Sequence, residues 1–321
     1  MRRGHQGCAR VDDRCGQSGS RDSQAGNQRV TQPRSDSADR PTRLAVSVVV
    51  LAKNEEINIA RCVDALAWAD EVVVVDDAST DATVALAERS GARVVNHPFE
   101  SFAGQRNWAL DHAGLRNEWV LMLDADEVST AEFAEEIGRA IESAGPEVVA
   151  FRTCRKTMLD GVWLKYSDGF PVWIMRLVRR GRARFEDSGH GEVPVPAVDG
   201  DLGTIRAPFI HEAFSRGMDD WWMRHVRYAG REAKRECGQE RDETPWLIFS
   251  LDASRRRRGL RSLARRVPAR GAMRFFYQYI LMGGFRDGPT GRRFCRMMAC
   301  YESIISIRKS ESLTVDRNGD P

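Results

Sequence analysis

Nine consecutive residues, Leu44 to Ala52, read Leu-Ala-Val-Ser-Val-Val-Val-Leu-Ala and carry no charge. A run this apolar and β-branched is a strand covered on both faces, the kind found in parallel sheets. Three more such runs follow at intervals that leave room for a crossover. Glu71–Val75, Arg93–Asn96 and Trp119–Leu123 read as strands, and Val148–Arg152 as a further one. Between them, apolar residues recur at helical spacing in Glu55–Ala67, in a segment ending near Arg89, in Gly104–His112 and in Ala131–Ser143. Strands alternating with helices of this length predict βαβ units, a mostly parallel sheet and right-handed crossovers. Ser79 or Thr80 is expected to cap the second helix, with Asp81 in its first turn and Gly91 after its end.

Ligands of such sheets sit beyond the carboxyl ends of the strands. Here three of those ends carry polar clusters: Lys53-Asn54-Glu55, Asp76-Asp77 and Asp124-Ala125-Asp126-Glu127. At a strand end, Asp124 and Asp126 can sit on either side of one hard cation. One would bind Mg2+ or Mn2+ and the other a sugar or ribose hydroxyl. Such a cation neutralises a leaving diphosphate as a Lewis acid. Asp76 and Asp77 can accept from a nucleobase N–H or a ribose hydroxyl. Capping alone also accounts for Asn54, Ser79 and Asp81, and a solvated acidic turn for Asp124–Glu127.

Several classes are disfavoured. No Gly-x-Gly-x-x-Gly follows the first strand, and neither a P-loop nor a Gly-x-Ser-x-Gly elbow occurs. Net charge is +3, so overall charge does not argue for a nucleic-acid binder, and no nucleic-acid partner is expected. The seven cysteines include no Cys-x-x-Cys and fit a reduced, cytoplasmic protein. No apolar run approaches the ~20 residues of a membrane span, and the N-terminus lacks the apolar core of a secretory signal.

Residues 1–43 are polar and poor in aliphatics, which predicts a disordered tail. Residues 44–215 form the expected α/β domain. Its second part, from 153 to about 212, is irregular and predicts loops and strands that extend the sheet and cover the site. Residues 216–321 read as a helical extension, with helices near 218–237, 268–283 and 290–309. Nine arginines fall between Arg255 and Arg274, with Leu260, Leu263 and Val267 at helical spacing. That pattern predicts a basic amphipathic stretch on an anionic membrane surface, at the inner face of the cytoplasmic membrane.

The segments SVVVLAKNEEINIARCVDAL, ADEVVVVDDASTDATVALAERSGARVV, FAGQRNWAL and EWVLMLDADE together resemble the family 2 glycosyltransferases of GT-A fold. The subgroup they most resemble includes lipopolysaccharide-core and exopolysaccharide enzymes. The likeness weakens through MRLVRRG and GHGE to FRDG near Asp287. It implies a nucleotide-diphospho-sugar donor, Mg2+ or Mn2+, inversion at the anomeric carbon, and a glycan or lipid-linked acceptor. Carried onto this chain, Ala52, Asn54 and Glu55 match the first nucleotide-contacting loop, and Asp76 and Asp77 the base-contacting carboxylates. Asp124 matches the ribose and sugar contact and Asp126 the metal ligand. Gln105, Arg106 and Asn107 match a helix start near the donor. The acidic pair that supplies the acceptor base is not recognisable. Asp187 and Glu192 are the candidates, with His190 as a metal ligand or diphosphate contact. Among Arg176, Arg179 and Arg180, one is expected at the diphosphate. Alternatives of other classes are a nucleotidyltransferase making nucleotide sugars and a non-catalytic nucleotide-binding module.

Overall fold

The structure is a computed structural model and describes residues 43–188, 191–196, 198–238, 259 and 269–318. The expected N-terminal tail lies outside these residues except for Arg43, as does most of the basic stretch 255–274. The described residues belong to one compact unit beginning at Pro41.

The first strand, β1 (Leu44–Ala52), lies inside a sheet that has ten strands among the described residues, third from one edge. It pairs in parallel with β2 (Ala69–Asp76) on one side and β4 (Trp119–Asp124) on the other, and β3 (Arg93–Asn96) pairs in parallel with β2. Alternate side chains of a strand face opposite ways. Val46, Val48 and Val50 pack under α1 (Ile59–Asp64) and α4 (Ala131–Ser143), with Ile59, Val63, Phe133 and Ile137. Val49 packs on the other side with Val73, Val75, Val120 and Met122, below α3 (Phe102–His112). Each of these buried apolar side chains contributes about 1.5–3 kcal/mol. A helix, α2 (Thr83–Arg89), precedes β3.

Beyond β4 the sheet turns mixed. The strand β6 (Val148–Leu159) continues seven residues past the expected end at Arg152. Between it and β4 lies β8 (Val172–Arg179), antiparallel to both. The short strands β7 (Val162–Trp163), β11 (Asp201–Thr204) and β12 (Phe209–His211) also pair with β6, and β12 with β5 (Glu127–Val128). A separate hairpin joins β9 (Ala183–Ser188) to β10 (Gly191–Pro196). The region expected to hold loops and strands that extend the sheet is mainly strand and does extend it. Apart from the β6–β7 and β9–β10 pairs, its pairings join distant segments, so no local periodicity announces them. The α/β class with a largely parallel sheet core, expected from the alternation of strands and helices, holds.

The C-terminal region is helical. The helix α5 (Met218–Gly238) packs Ala229 and Ala233 against Tyr301 and Ile305 of α7 (Gly288–Asn318). The expected 268–283 helix is split into α6 (Arg270–Phe276) and a π-helical turn over Tyr277–Leu281. Gly271 permits α6 to approach α7: a Cβ there would come within 2.6 Å of the Ala299 carbonyl oxygen. Asp287 explains the Phe-Arg-Asp-Gly segment. Its buried Oδ2 accepts from the Tyr166 and Ser167 backbone N–H groups and the Ser167 hydroxyl, at 2.7–2.9 Å. Among the described residues no helix is long and apolar enough to cross a membrane. The expected 215/216 boundary falls in the connection between β12 and α5.

Candidate active site

The parallel register aligns the strand ends. Ala52 stands opposite Asp76, and Leu51 opposite Asp124. A fourth end joins them. Because β8 is antiparallel to β4 and β6, and β12 is parallel to β6, β12 runs in the same sense as β4. Its last residue, His211, pairs in register with Glu127. Four strand ends therefore share one edge.

Asp124 is the hub. Its Oδ1 accepts from Arg106 of α3 at 2.7 Å and its Oδ2 from Arg176 of β8 at 2.8 Å. The same Arg176 nitrogen donates to Glu127 Oε1 at 2.8 Å, and Glu127 Oε2 accepts from the Asp124 backbone N–H at 2.9 Å. The Arg106 and Glu127 side chains are 1% and 0% exposed, while a third of the Asp124 side chain stays open. Burial works to raise the Asp124 carboxyl. The Arg176 and Arg106 guanidiniums outweigh it and hold the group well below the usual carboxylate range. Burial pushes Glu127 up instead. Glu55 is also raised, by burial first and with the Asp126 charge adding to it, against the lowering contacts of Asn58 and Arg216.

Asp126 lies beside His211, with Oδ2 and Nε2 3.6 Å apart. Its carbonyl accepts from the Glu212 backbone N–H at 2.9 Å, which fixes the end of β12 to the acidic turn. The buried Nδ1 of His211 meets no partner among the described residues. A carboxylate oxygen and an imidazole nitrogen set side by side suit a divalent cation of the Mg2+ or Mn2+ type. Among the described residues no three His, Cys, Asp or Glu side chains cluster as a metal cage. Asp126 and His211 can therefore hold such an ion only if other ligands, such as diphosphate oxygens, complete its shell.

The first two loops are bonded to each other. Asn54, at φ 52°, donates its backbone N–H to the Ser79 hydroxyl at 2.8 Å and accepts from the Thr80 N–H at 2.8 Å. Glu55 and Glu56 donate backbone N–H groups to Thr83 and Asp81. These cross-loop bonds consume the groups expected to cap helices. In consequence α2 starts only at Thr83, after an N-cap residue, Ala82, that makes no side-chain bond, and α1 is shorter than expected. Asp76 is 1% exposed. Its Oδ2 accepts from Ser79 N–H at 2.8 Å, and its buried Oδ1 meets no partner among the described residues. Asp77 accepts from Phe99 N–H at 2.9 Å and lies 3.7 Å from the Lys53 ammonium.

Gln105, Arg106 and Asn107 radiate to three elements. Gln105, 2% exposed, bonds His97 through both ends of its amide, at 2.7 and 3.0 Å. Arg106 reaches Asp124. Asn107 bonds the Phe185 backbone carbonyl and N–H at 2.8 and 3.0 Å and so holds the β9–β10 hairpin to α3. Of the three, only Arg106 touches the acidic hub. Of the three arginines expected near a diphosphate, only Arg176 is at the hub. Arg179 pairs in register with Trp119, and the Arg180 backbone N–H bonds Glu118, so both lie at the opposite end of β4. The exposed Asp187 accepts from Ala103 N–H at 3.2 Å, in the first turn of α3. Glu192 stands opposite it in register. His190 lies outside the described residues. His211 and Arg216, which bonds Glu55 at 3.1 Å, were not singled out from the sequence, and Glu127 was read only as part of the polar cluster after β4. Phe209-Ile210-His211-Glu212 repeats the pattern of an apolar run ending in polar residues, and that was the available signal.

Residues 47–194 match glycosyl transferase family 2. The chain is 27% identical over 202 residues to the lipopolysaccharide core biosynthesis glycosyltransferase LpsC of Rhizobium meliloti, covering 60% of this chain and 72% of that one. It is 42% identical over 93 residues to an uncharacterised glycosyltransferase of Rickettsia conorii, covering 29% of this chain and 32% of that protein. It thus spans about a third of the length of that relative. Among solved structures it is similar to a glucosyl-3-phosphoglycerate synthase of Mycobacterium tuberculosis in complex with Mn2+, UDP-glucose and phosphoglyceric acid. The match has 27% identity and TM-score 0.31, covering 36% of this chain and 44% of that chain. Another complex of that synthase, with Mn2+, UDP and phosphoglyceric acid, matches at 18% identity and TM-score 0.42, covering 64% and 87%.

Proposed function

We propose that this chain, whose residues 47–194 match glycosyl transferase family 2, is a metal-dependent, inverting glycosyltransferase of cell-envelope glycan synthesis. Its donor is a nucleotide-diphospho-sugar and its acceptor a glycan or lipid-linked glycan, met at the inner face of the cytoplasmic membrane. The observation that carries the reading is the gathering of four strand ends at one edge. They bring Asp76, Asp124, Asp126 and His211 together across 135 positions of sequence (211 − 76). The likeness to LpsC supports the choice of a lipopolysaccharide-type product.

The bonded β1 and β2 loops, with Asn54, Glu55, Asp76 and Asp77, would receive the nucleoside. Asp124, kept ionised by Arg106 and Arg176, would accept from a ribose or sugar hydroxyl through its open third. Asp126 and His211 would hold Mg2+ or Mn2+, which when bound supplies Lewis-acid neutralisation of the departing diphosphate. Inversion requires one displacement, with a carboxylate taking the acceptor hydroxyl proton on the face away from the diphosphate. Asp187, exposed and accepting from the Ala103 N–H one helical turn before Arg106, would take that role, with Glu192 opposite it as the other candidate.

The test is a product assay with UDP-, GDP-, TDP- and ADP-sugars, Mn2+ and a glycan acceptor. Release of free nucleoside diphosphate is expected, and Asp126→Ala abolishes it. Release of pyrophosphate would instead indicate a nucleotidyltransferase, and binding without release a non-catalytic module.

A further inference from the structure

A second surface stands apart from the acidic edge. Along α6 and the π-helical turn after it, Phe276, Tyr277, Ile280 and Leu281 are 55%, 49%, 46% and 66% exposed. Phe276 with Ile280 and Tyr277 with Leu281 are i, i+4 neighbours, which makes two adjacent apolar rows. Phe285, 52% exposed, extends the patch, with its ring 6.3 Å from that of Tyr279. Five large apolar side chains thus face outward within ten residues, where single exposed hydrophobics are the ordinary case. The opposite face holds them there. Gln278 is buried and donates to the Ser167 carbonyl at 2.9 Å, and Gly271 seats α6 on α7. The patch is presented by anchored backbone.

The hollow beside this patch is lined by cationic side chains. Tyr279 and Phe285 line a hollow of about 530 Å³ with Arg292, Arg293 and Arg296. Arg292 and Arg296 meet no ion-pair partner among the described residues, while Arg293 pairs with the exposed Asp160. No acidic residue lies between Asp287 and Glu302, and Asp287 is buried and bonded to Tyr166 and Ser167. A second copy docked face to face would set arginines against arginines, which opposes self-association. Aliphatic and aromatic tips flanked by exposed guanidiniums suit a boundary where acyl chains meet anionic headgroups.

We infer that the exposed face of Phe276, Tyr277, Ile280, Leu281 and Phe285, with Arg292 and Arg296 beside it, docks on an anionic lipid bilayer. The apolar tips enter the headgroup region, and the arginines meet lipid phosphates. Arg293 and Arg296 also line a second hollow of about 500 Å³ with Phe214, Met218 and Trp222. Phe214 is three residues past His211, so the face adjoins the segment that bounds the acidic edge. This last point rests on the glycosyl-transfer reading, whereas the docking face itself does not.

The experiment is co-sedimentation of the full chain with vesicles of phosphatidylcholine alone and of phosphatidylcholine mixed with phosphatidylglycerol. Two double variants accompany the unaltered protein: Phe276→Ser with Leu281→Ser, and Arg292→Glu with Arg296→Glu. All four positions are exposed, and an unchanged melting temperature verifies folding. The unaltered chain is expected to pellet with the mixed vesicles only, less so as salt rises. Each double variant should lower partitioning roughly tenfold or more. The inference is overturned if the unaltered chain stays in solution with mixed vesicles, or if both variants pellet as it does. It is equally overturned if the chain dimerises through this face and pellets with neither vesicle. No sugar transfer enters the readout, so a failed transfer assay and a failed docking test remain distinguishable.

Discussion

Replacing Asp124 by Asn keeps the shape of the side chain and removes its charge. The amide offers one acceptor oxygen to two guanidiniums and turns N–H donors toward the other. Arg106 is 1% exposed and Arg176 is 7% exposed, so neither recovers full hydration. Breaking a buried ion pair from one side costs about 3–5 kcal/mol. Two features reduce that here: a third of the Asp124 side chain is open to solvent, and Arg176 keeps its 2.8 Å bond to Glu127. The expected loss is therefore about 2–3 kcal/mol, and a fall in melting temperature of roughly 4–10 °C. Urea unfolding of both proteins between neutral pH and strong acid gives the measurement. Since the folded-state carboxyl is depressed, its contribution is complete above the unfolded value near ~3.9 and is lost as pH falls toward the folded one. The difference between the proteins should stay flat from neutrality to about pH 4 and shrink only below that. A difference under about 0.5 kcal/mol, the scale of an ordinary surface change, would refute the hub. So would a difference that disappears between pH 7 and pH 5.

Asn107→Ala leaves the carbonyl and N–H of the buried Phe185 without their side-chain partner, and Pro194 opposite has no N–H to offer. A loss of about 1–3 kcal/mol in urea unfolding is expected, with faster amide exchange at Phe185. Cys62 is fully buried, and burial together with the Glu127, Asp126 and Asp124 charges raises its thiol above the ordinary range. A maleimide should therefore label the exposed Cys300 in the native chain and leave Cys62 untouched until the protein unfolds.

The half of the fold built from local signals is readable from the chain. The apolar runs of β1 and β4 and the amphipathic α4 lie where the pattern places them, because burial on two faces or one stripe dictates their composition. The parallel order then sets three polar clusters at one edge without further information. What local reasoning misses is non-local. Asn54, Ser79 and Asp81 look like helix caps, but the two loops bond each other instead. His211 stands on a three-residue strand, 85 positions after Asp126 (211 − 126), and only the pairing of β12 with β5 brings the two together. Arg176 and Arg179 look equivalent in sequence. They are separated because β8 is antiparallel to β4: Arg179 pairs with Trp119 at the start of β4, while Arg176, three residues earlier in β8, reaches Asp124 with its side chain.

The most direct test is the melting temperature of the chain with Mn2+, with each of UDP, GDP, TDP and ADP, and with metal and nucleotide together. Asp126 and His211 alone make an incomplete cation shell, so either component should stabilise little. The right pair should add about 2.7 kcal/mol at a hundredfold excess over its dissociation constant. His211→Ala should remove that synergy while leaving the melting temperature of the free protein nearly unchanged. Simple additivity with all four nucleotides, or synergy that survives in both Asp126→Ala and His211→Ala, would contradict a shared cation at this edge.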